Sequence, residues 1–192
     1  GKIEFGARFP LGTFCMDSPN KAFKNRFLSR YREGFEFGLL VEILGALGWS
    51  VKAYLPHRMD EGYGLSQDGV ENCLKKSPTK LLLAVDCGST AVQTIAWLNE
   101  QGVDVIVLDH HQVSSPPPAA VALVNPQLST LNSQPSTAFT ELCSAGLAFK
   151  LAHALVKRGR DIGLSGAADF DLRPLLDLVA LGTIADLVPL IG

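Results

Sequence analysis

The chain has 192 residues, 47% hydrophobic and 19% charged, enough for one domain with a sizeable core or one and a fraction. Seventeen Lys and Arg against nineteen Asp and Glu leave a formal charge of −2. That balance excludes a polybasic nucleic-acid or membrane binder but not a local basic groove. No apolar run reaches the roughly 18 residues of a membrane span, and the nearest, residues 174–192, is interrupted by Asp177 and Asp186. The N-terminus, Gly1-Lys2-Ile3-Glu4-Phe5, lacks the apolar centre of a secretory signal. Cys15, Cys73, Cys87 and Cys143 lie far apart without a Cys-x-x-Cys pair, which points to free thiols in a reducing, cytoplasmic setting.

Residues 1–34 carry seven Lys/Arg and three Asp/Glu, whereas residues 35–192 carry ten and sixteen. Residues 1–26 keep neither helical nor strand periodicity and read as irregular. From Phe37 the pattern changes, with Leu39, Leu40, Ile43, Leu44 and Leu47 at helical spacing and Gly48 as a stop. A short strand is expected at 50–55, a helix at 67–76 and a buried strand at 81–85. A helix over 90–100 follows, capped by Ser89 or Thr90, with Gly102 just beyond it. Strands at 105–108 and 120–124 come next, with Ser/Pro-rich loops at 114–118 and 129–136. Helices at about 141–157 and 173–181 close the chain. The alternation predicts an open, doubly wound α/β fold with a mainly parallel sheet and helices on both faces.

Such sheets bind ligands beyond the carboxyl ends of their strands. Two predicted strands deliver polar residues there: Asp86-Cys87-Gly88 after the first and Asp109-His110-His111 after the second. A lone Asp at a strand end serves equally as a helix N-cap, and a lone buried His as a satisfied core residue. Asp-His-His directly after an apolar strand crowds one edge with three polar groups. Carboxylates beside imidazoles form a ligand set suited to Mn²⁺ or Mg²⁺, and pairs of such ions suit phosphoester hydrolysis.

Val107-Leu108-Asp109-His110-His111 resembles the motif that names the DHH phosphoesterase family. Val85-Asp86-Cys87-Gly88 is similar to the family's second motif, and Gly182-Thr183-Ile184-Ala185-Asp186-Leu187-Val188-Pro189-Leu190 to its fourth. Pro56-His57-Arg58, residues 61–66, Val124-Asn125-Pro126 and residues 143–150 resemble its RecJ-type branch, single-strand-specific 5′→3′ exonucleases of DNA repair and recombination. The resemblance runs from about Leu39 to Gly192. It implies that Asp86 bridges two Mn²⁺ or Mg²⁺ ions and that His110 and Asp186 complete the shell of one of them. It further implies that Asp109 supports the histidines and that His111 contacts the scissile phosphate or helps protonate the leaving oxygen. Arg58, Tyr63 and Ser66 are the implied contacts to single-stranded DNA. For Arg58, a solvated loop arginine is the plainer alternative.

The family's first motif, an Asp-rich cluster ahead of the helix near Phe37, has no counterpart. Residues 28–34 read Leu-Ser-Arg-Tyr-Arg-Glu-Gly, and no aspartate lies between Asp17 and Asp60. One ion or none is therefore expected in place of two, with Arg30 and Arg32 as alternative partners for the aspartates. Glu33 or Glu36 could stand in for a missing ligand, and either could equally face solvent at a helix start. Cys87 reads as a small buried packer and not a ligand. The expected organisation is an atypical segment, 1–34, followed by a DHH domain, 35–192, that stops before a second domain and an OB-fold. A truncated or frame-disrupted product fits that organisation. Two other readings stand beside the exonuclease. One is a non-catalytic scaffold that binds replication or repair proteins; the other is a phosphodiesterase of oligonucleotides or cyclic dinucleotides, which residues 61–66 and 182–190 argue against.

Overall fold

Residues 81–85 and 105–108 are apolar at consecutive positions, so strands built from them need cover on both faces. The computed structural model, which describes residues 34–130 and 141–189 and the backbone of residues 2–6, supplies that cover. Its strands are β1 (Lys2–Gly6), β2 (Ser50–Tyr54), β3 (Leu81–Val85), β4 (Asp104–Leu108) and β5 (Ala122–Val124), in the order β2-β1-β3-β4-β5. Every neighbouring pair is parallel; Gly6 stands beside Ala84, and Val85 beside Leu108. The helices are α1 (Phe35–Ala46), α2 (Arg58–Glu61), α3 (Gln67–Lys76), α4 (Val92–Glu100), α5 (Ser144–Asp161), α6 (Ser165–Ala168) and α7 (Leu176–Ala185). Turns of 3₁₀ helix at Pro126–Thr130 and Arg173–Leu175 complete the described elements.

Side chains alternate across a strand, and the core divides accordingly. Leu83 and Val85 of β3 and Leu108 of β4 join Phe37, Leu40 and Ile43 of α1 and Leu147, Ala152 and Val156 of α5 on one face. Leu82 and Ala84 of β3 and Val105 and Val107 of β4 meet Val70 of α3 and Ile95 and Leu98 of α4 on the other. The doubly wound α/β fold expected from the sequence is the one observed. Among the described residues no helix is long and apolar enough to cross a membrane.

Three sequence expectations are corrected. Residues 2–6, read as irregular, form β1, the strand between β2 and β3. Their alternation of charged and apolar residues is too short to stand out; the two parallel neighbours define the strand. The helix expected from Thr90 starts at Val92 with no side-chain cap, because Ser89 is engaged elsewhere. The last two helices begin or end about three or four residues later than expected, at Ser144–Asp161 and Leu176–Ala185. The expected first-motif region and Arg30 and Arg32 lie outside the described residues, as does most of the expected loop at 129–136.

Candidate metal centre

The carboxyl ends of β3 and β4 bring two acidic segments side by side. The pairing continues past both strands: Asp86 donates its N–H to Leu108 O at 2.9 Å, and Asp109 to Val124 O at 3.1 Å. Asp86 takes φ 60°, a left-handed conformation that aspartate tolerates better than most residues. Gly88, at φ 108°, follows; a Cβ there would lie 3.2 Å from Val107. The chain therefore turns sharply over β4 while Asp86 stays at the sheet edge.

Ser144, the first residue of α5, donates its hydroxyl to Asp86 Oδ1 at 2.6 Å. The same oxygen lies 3.3 Å from His110 Nε2 and 4.0 Å from His111 Nδ1. Ligand atoms from Asp86, His110 and His111 all fall within 4.8 Å of one another. Asp186, the C-cap of α7, brings Oδ2 to 3.8 Å from His110 Nε2. Gly182, one turn earlier, permits that approach: a Cβ there would stand 2.5 Å from Ala145 Cβ of α5. The structure thus brings together the three residues expected to hold metal, Asp86, His110 and Asp186.

Asp109, 2% exposed, sits beneath them. Its Oδ1 accepts from His110 N at 2.9 Å and His111 N at 3.2 Å, and faces His111 Nδ1 at 2.6 Å. Its Oδ2 accepts from Ser89 N at 3.0 Å. Burial would raise this carboxyl, but the His111 ring and the Ser89 donors outweigh it and hold Asp109 well below the usual carboxylate range. Asp109 thereby fixes the ring and backbone of His111 and, through the backbone alone, His110. His110 itself is pushed up, first by its bond to Asp86 and then by the charges of Asp86, Asp186 and Asp109, against the opposing effect of burial. Asp186 is raised by burial and by Asp86. A site that stabilises protonated imidazole and resists further anionic charge is one a cation satisfies. Two carboxylates and imidazole nitrogens also match the oxygen and nitrogen donors that Mn²⁺ takes.

Asn125 and Ser144 carried no role in the sequence reading, whereas Glu36 was one of two carboxylates weighed there as a stand-in ligand. Asn125 donates to Ser89 Oγ and His111 O, both at 2.8 Å, while its Oδ1 accepts from Gln127 N at 2.8 Å. Ser144, which carried no role in the sequence motif, touches Asp86 directly. Glu36, the second residue of α1, is 7% exposed and feels Asp86, Asp186 and His110; burial first, with the two aspartates, lifts its carboxyl to about 8.

The segment expected at the substrate lies beside this edge. Leu65 packs in one cluster with Cys87, and a Cβ on Gly64 would sit 3.9 Å from Cys87 Cβ. Cys87 is buried there, the packing role expected of it. The guanidinium of Arg58 lies over the ring of the half-exposed Tyr63, 4.6 Å from its centroid. Ser66 differs from its expected role. Its hydroxyl donates to Glu61 O and accepts from Gly69 N at 3.2 Å, capping α3, a structural task. Glu61 anchors the segment by accepting from Tyr54 Oη, His57 N and Asn72 Nδ2.

The family model described as DHH family, N-terminal domain, matches residues 37–183. The chain is 42% identical over 154 residues to the single-stranded-DNA-specific exonuclease RecJ of Haemophilus influenzae, covering 79% of this chain and 26% of that protein. It is 40% identical over 155 residues to RecJ of Thermus thermophilus, covering 80% and 21% respectively. The chain therefore spans about a quarter of the length of these curated relatives. Among solved structures, exonuclease RecJ bound to manganese superposes with a TM-score of 0.68 at 31% identity, covering 100% of this chain and 40% of that one. RecJ in complex with Mn²⁺ from Thermus thermophilus gives 0.64 at 27% identity, covering 100% and 22%. With an acid-histidine edge assembled at β3 and β4 and a family match over most of its length, this chain belongs to the DHH family.

Proposed function

We propose that the chain forms the DHH domain of a metal-dependent exonuclease specific for single-stranded DNA, acting in DNA repair or recombination in the cytoplasm. The observation that carries this reading is the convergence of Asp86, His110 and His111 ligand atoms within 4.8 Å at the sheet edge, with Asp186 beside them. Asp86, His110 and Asp186 hold a Mn²⁺ or Mg²⁺ ion. Bound there, the ion supplies the charge that activates water and offsets the anionic phosphoryl oxygens. Asp109 holds His111 through Nδ1, so that ring acts on the scissile phosphate or the leaving oxygen through Nε2. Arg58 meets the DNA backbone and Tyr63 offers a ring for a base to stack on, with Ser66 fixing the loop that presents them.

One ion is expected, not the family's two, because residues 28–34 hold no aspartate. That same observation favours a second reading, a metal-free scaffold for replication or repair proteins. Digestion of 5′-labelled single-stranded and duplex DNA, with Mn²⁺ or with chelator, separates the two. The exonuclease reading predicts slow, Mn²⁺-dependent shortening of single strands that Asp86→Ala abolishes. No cleavage and no metal binding by the folded chain would leave the scaffold.

A further inference from the structure

We propose that Glu36 is a ligand of this metal centre, supplying from the first turn of α1 a carboxylate that the missing Asp-rich motif does not. This inference rests on the metal-binding reading of the Asp86–His110–Asp186 site.

Topology places Glu36 at the right edge. β1 lies between β2 and β3 in parallel, and Gly6 pairs with Ala84, two residues before Asp86. In an open sheet of this order the ligand crevice lies where the winding changes direction, beyond the carboxyl ends of β1 and β3. α1, the described helix between β1 and β2, opens with Phe35 and Glu36. Phe35 also belongs to this corner: its ring carbon would stand 3.7 Å from a Cβ on Gly182, one turn before Asp186.

The chemistry of the position points the same way. Glu36 is followed by Phe37, Gly38, Leu39 and Leu40 in a helix whose buried residues are otherwise apolar. A carboxyl only 7% exposed in that company is costly unless a partner repays its lost hydration. The Glu36 carboxylate accepts a hydrogen bond from its own backbone N–H. Its electrostatic neighbours are Asp86, Asp186 and His110, from three other segments of the chain. Three carboxyl groups and an imidazole that influence one another in this way offer the oxygen-rich donors of an ordinary Mn²⁺ set, and a bound cation would let the Glu36 carboxyl ionise. Gly34 makes room for the carboxyl: a Cβ there would come within 3.0 Å of Glu36 Oε1. The N-terminus of α1 further favours a carboxylate at this place.

The test is Mn²⁺ titration by calorimetry, with the electron paramagnetic resonance of bound Mn²⁺ as a second readout. It uses the wild-type chain, Asp86→Ala, Glu36→Gln and, as an apolar replacement of similar length, Glu36→Met. The wild type should bind about one ion and Asp86→Ala none. Both Glu36 variants should bind at least about tenfold more weakly, with an altered Mn²⁺ spectrum, while melting no lower than the wild type without metal. A merely structural Glu36 would leave Mn²⁺ affinity unchanged in whichever variant folds. That outcome overturns the inference and leaves the metal site standing. A folded wild type that binds no Mn²⁺ overturns both.

Discussion

At the residue scale, Asp109 shows how one buried carboxylate organises a site by acceptor capacity alone. It takes hydrogen bonds from three backbone N–H groups and faces the Nδ1 of His111. In Asp109→Asn an amide NH₂ replaces one acceptor and confronts either the Ser89 donor or the histidine donors. Loss of about 2 kcal/mol in a urea titration is expected, the scale of hydrogen bonds to a buried charge. Proton linkage gives a second prediction for the metal-free protein. Asp109 is depressed, so its stabilisation is present above the ordinary carboxylate range and is lost as pH falls toward its folded value. Glu36 is raised to about 8, so its contribution is fully present below about 4.5 and is lost as pH rises to 8. His110 is also raised, and its contribution fades above its ordinary 6.5. Chelator-treated protein should therefore have its highest urea midpoint near pH 5 and fall on both sides. Glu36→Gln should make the alkaline limb shallower, and an unchanged limb would mean that the buried Glu36 carboxyl is not raised. Asp86, Asp109, His110 and His111 were legible in the sequence because strands end directly at them. Ser144, Asn125 and Ser89 were not, since their bonds span 58, 36 and 20 residues and exist only after folding.

At the scale of elements, the segment from His57 to Ser66 depends on Glu61 more than on its exposed residues. Glu61 ties Tyr54 of β2, His57 and Asn72 of α3 together, and its carbonyl accepts from Ser66. Arg58 and Tyr63 are carried on that frame. Glu61→Ala removes the frame and leaves the pair's chemistry intact. It should weaken binding of a single-stranded oligonucleotide several-fold by fluorescence anisotropy while leaving Mn²⁺ affinity unchanged. Equal loss of both would mean that the variant disturbs the whole sheet edge. Gly182→Ala is the converse case. Its Cβ would be 2.5 Å from Ala145, so α7 must move away from α5 and take Asp186 with it. Mn²⁺ affinity should fall although no ligand is changed. The sequence marked α3 and β3 at their observed bounds, because amphipathic or wholly apolar patterns define them. It missed β1, where Lys2 and Glu4 break the apolar run and the neighbouring strands decide the structure. It also assigned a cap to Ser89, whose backbone and hydroxyl are held by Asp109 and Asn125.

At the scale of the whole molecule, two apolar clusters clamp a five-stranded parallel sheet, and polar side chains collect where its strands end. That arrangement was legible because alternating buried strands and helices have few ways to pack. The completeness of the metal shell was not, since Glu36 reads in one dimension as a charge at a helix start. If Asp86, His110 and Asp186 hold a metal ion, a crystal of this chain soaked in Mn²⁺ and measured at a wavelength where manganese scatters anomalously will show one peak within bonding distance of the Asp86 carboxylate and His110 Nε2. A clean map with no peak there, from crystals in which that edge is ordered, would contradict metal binding by these residues.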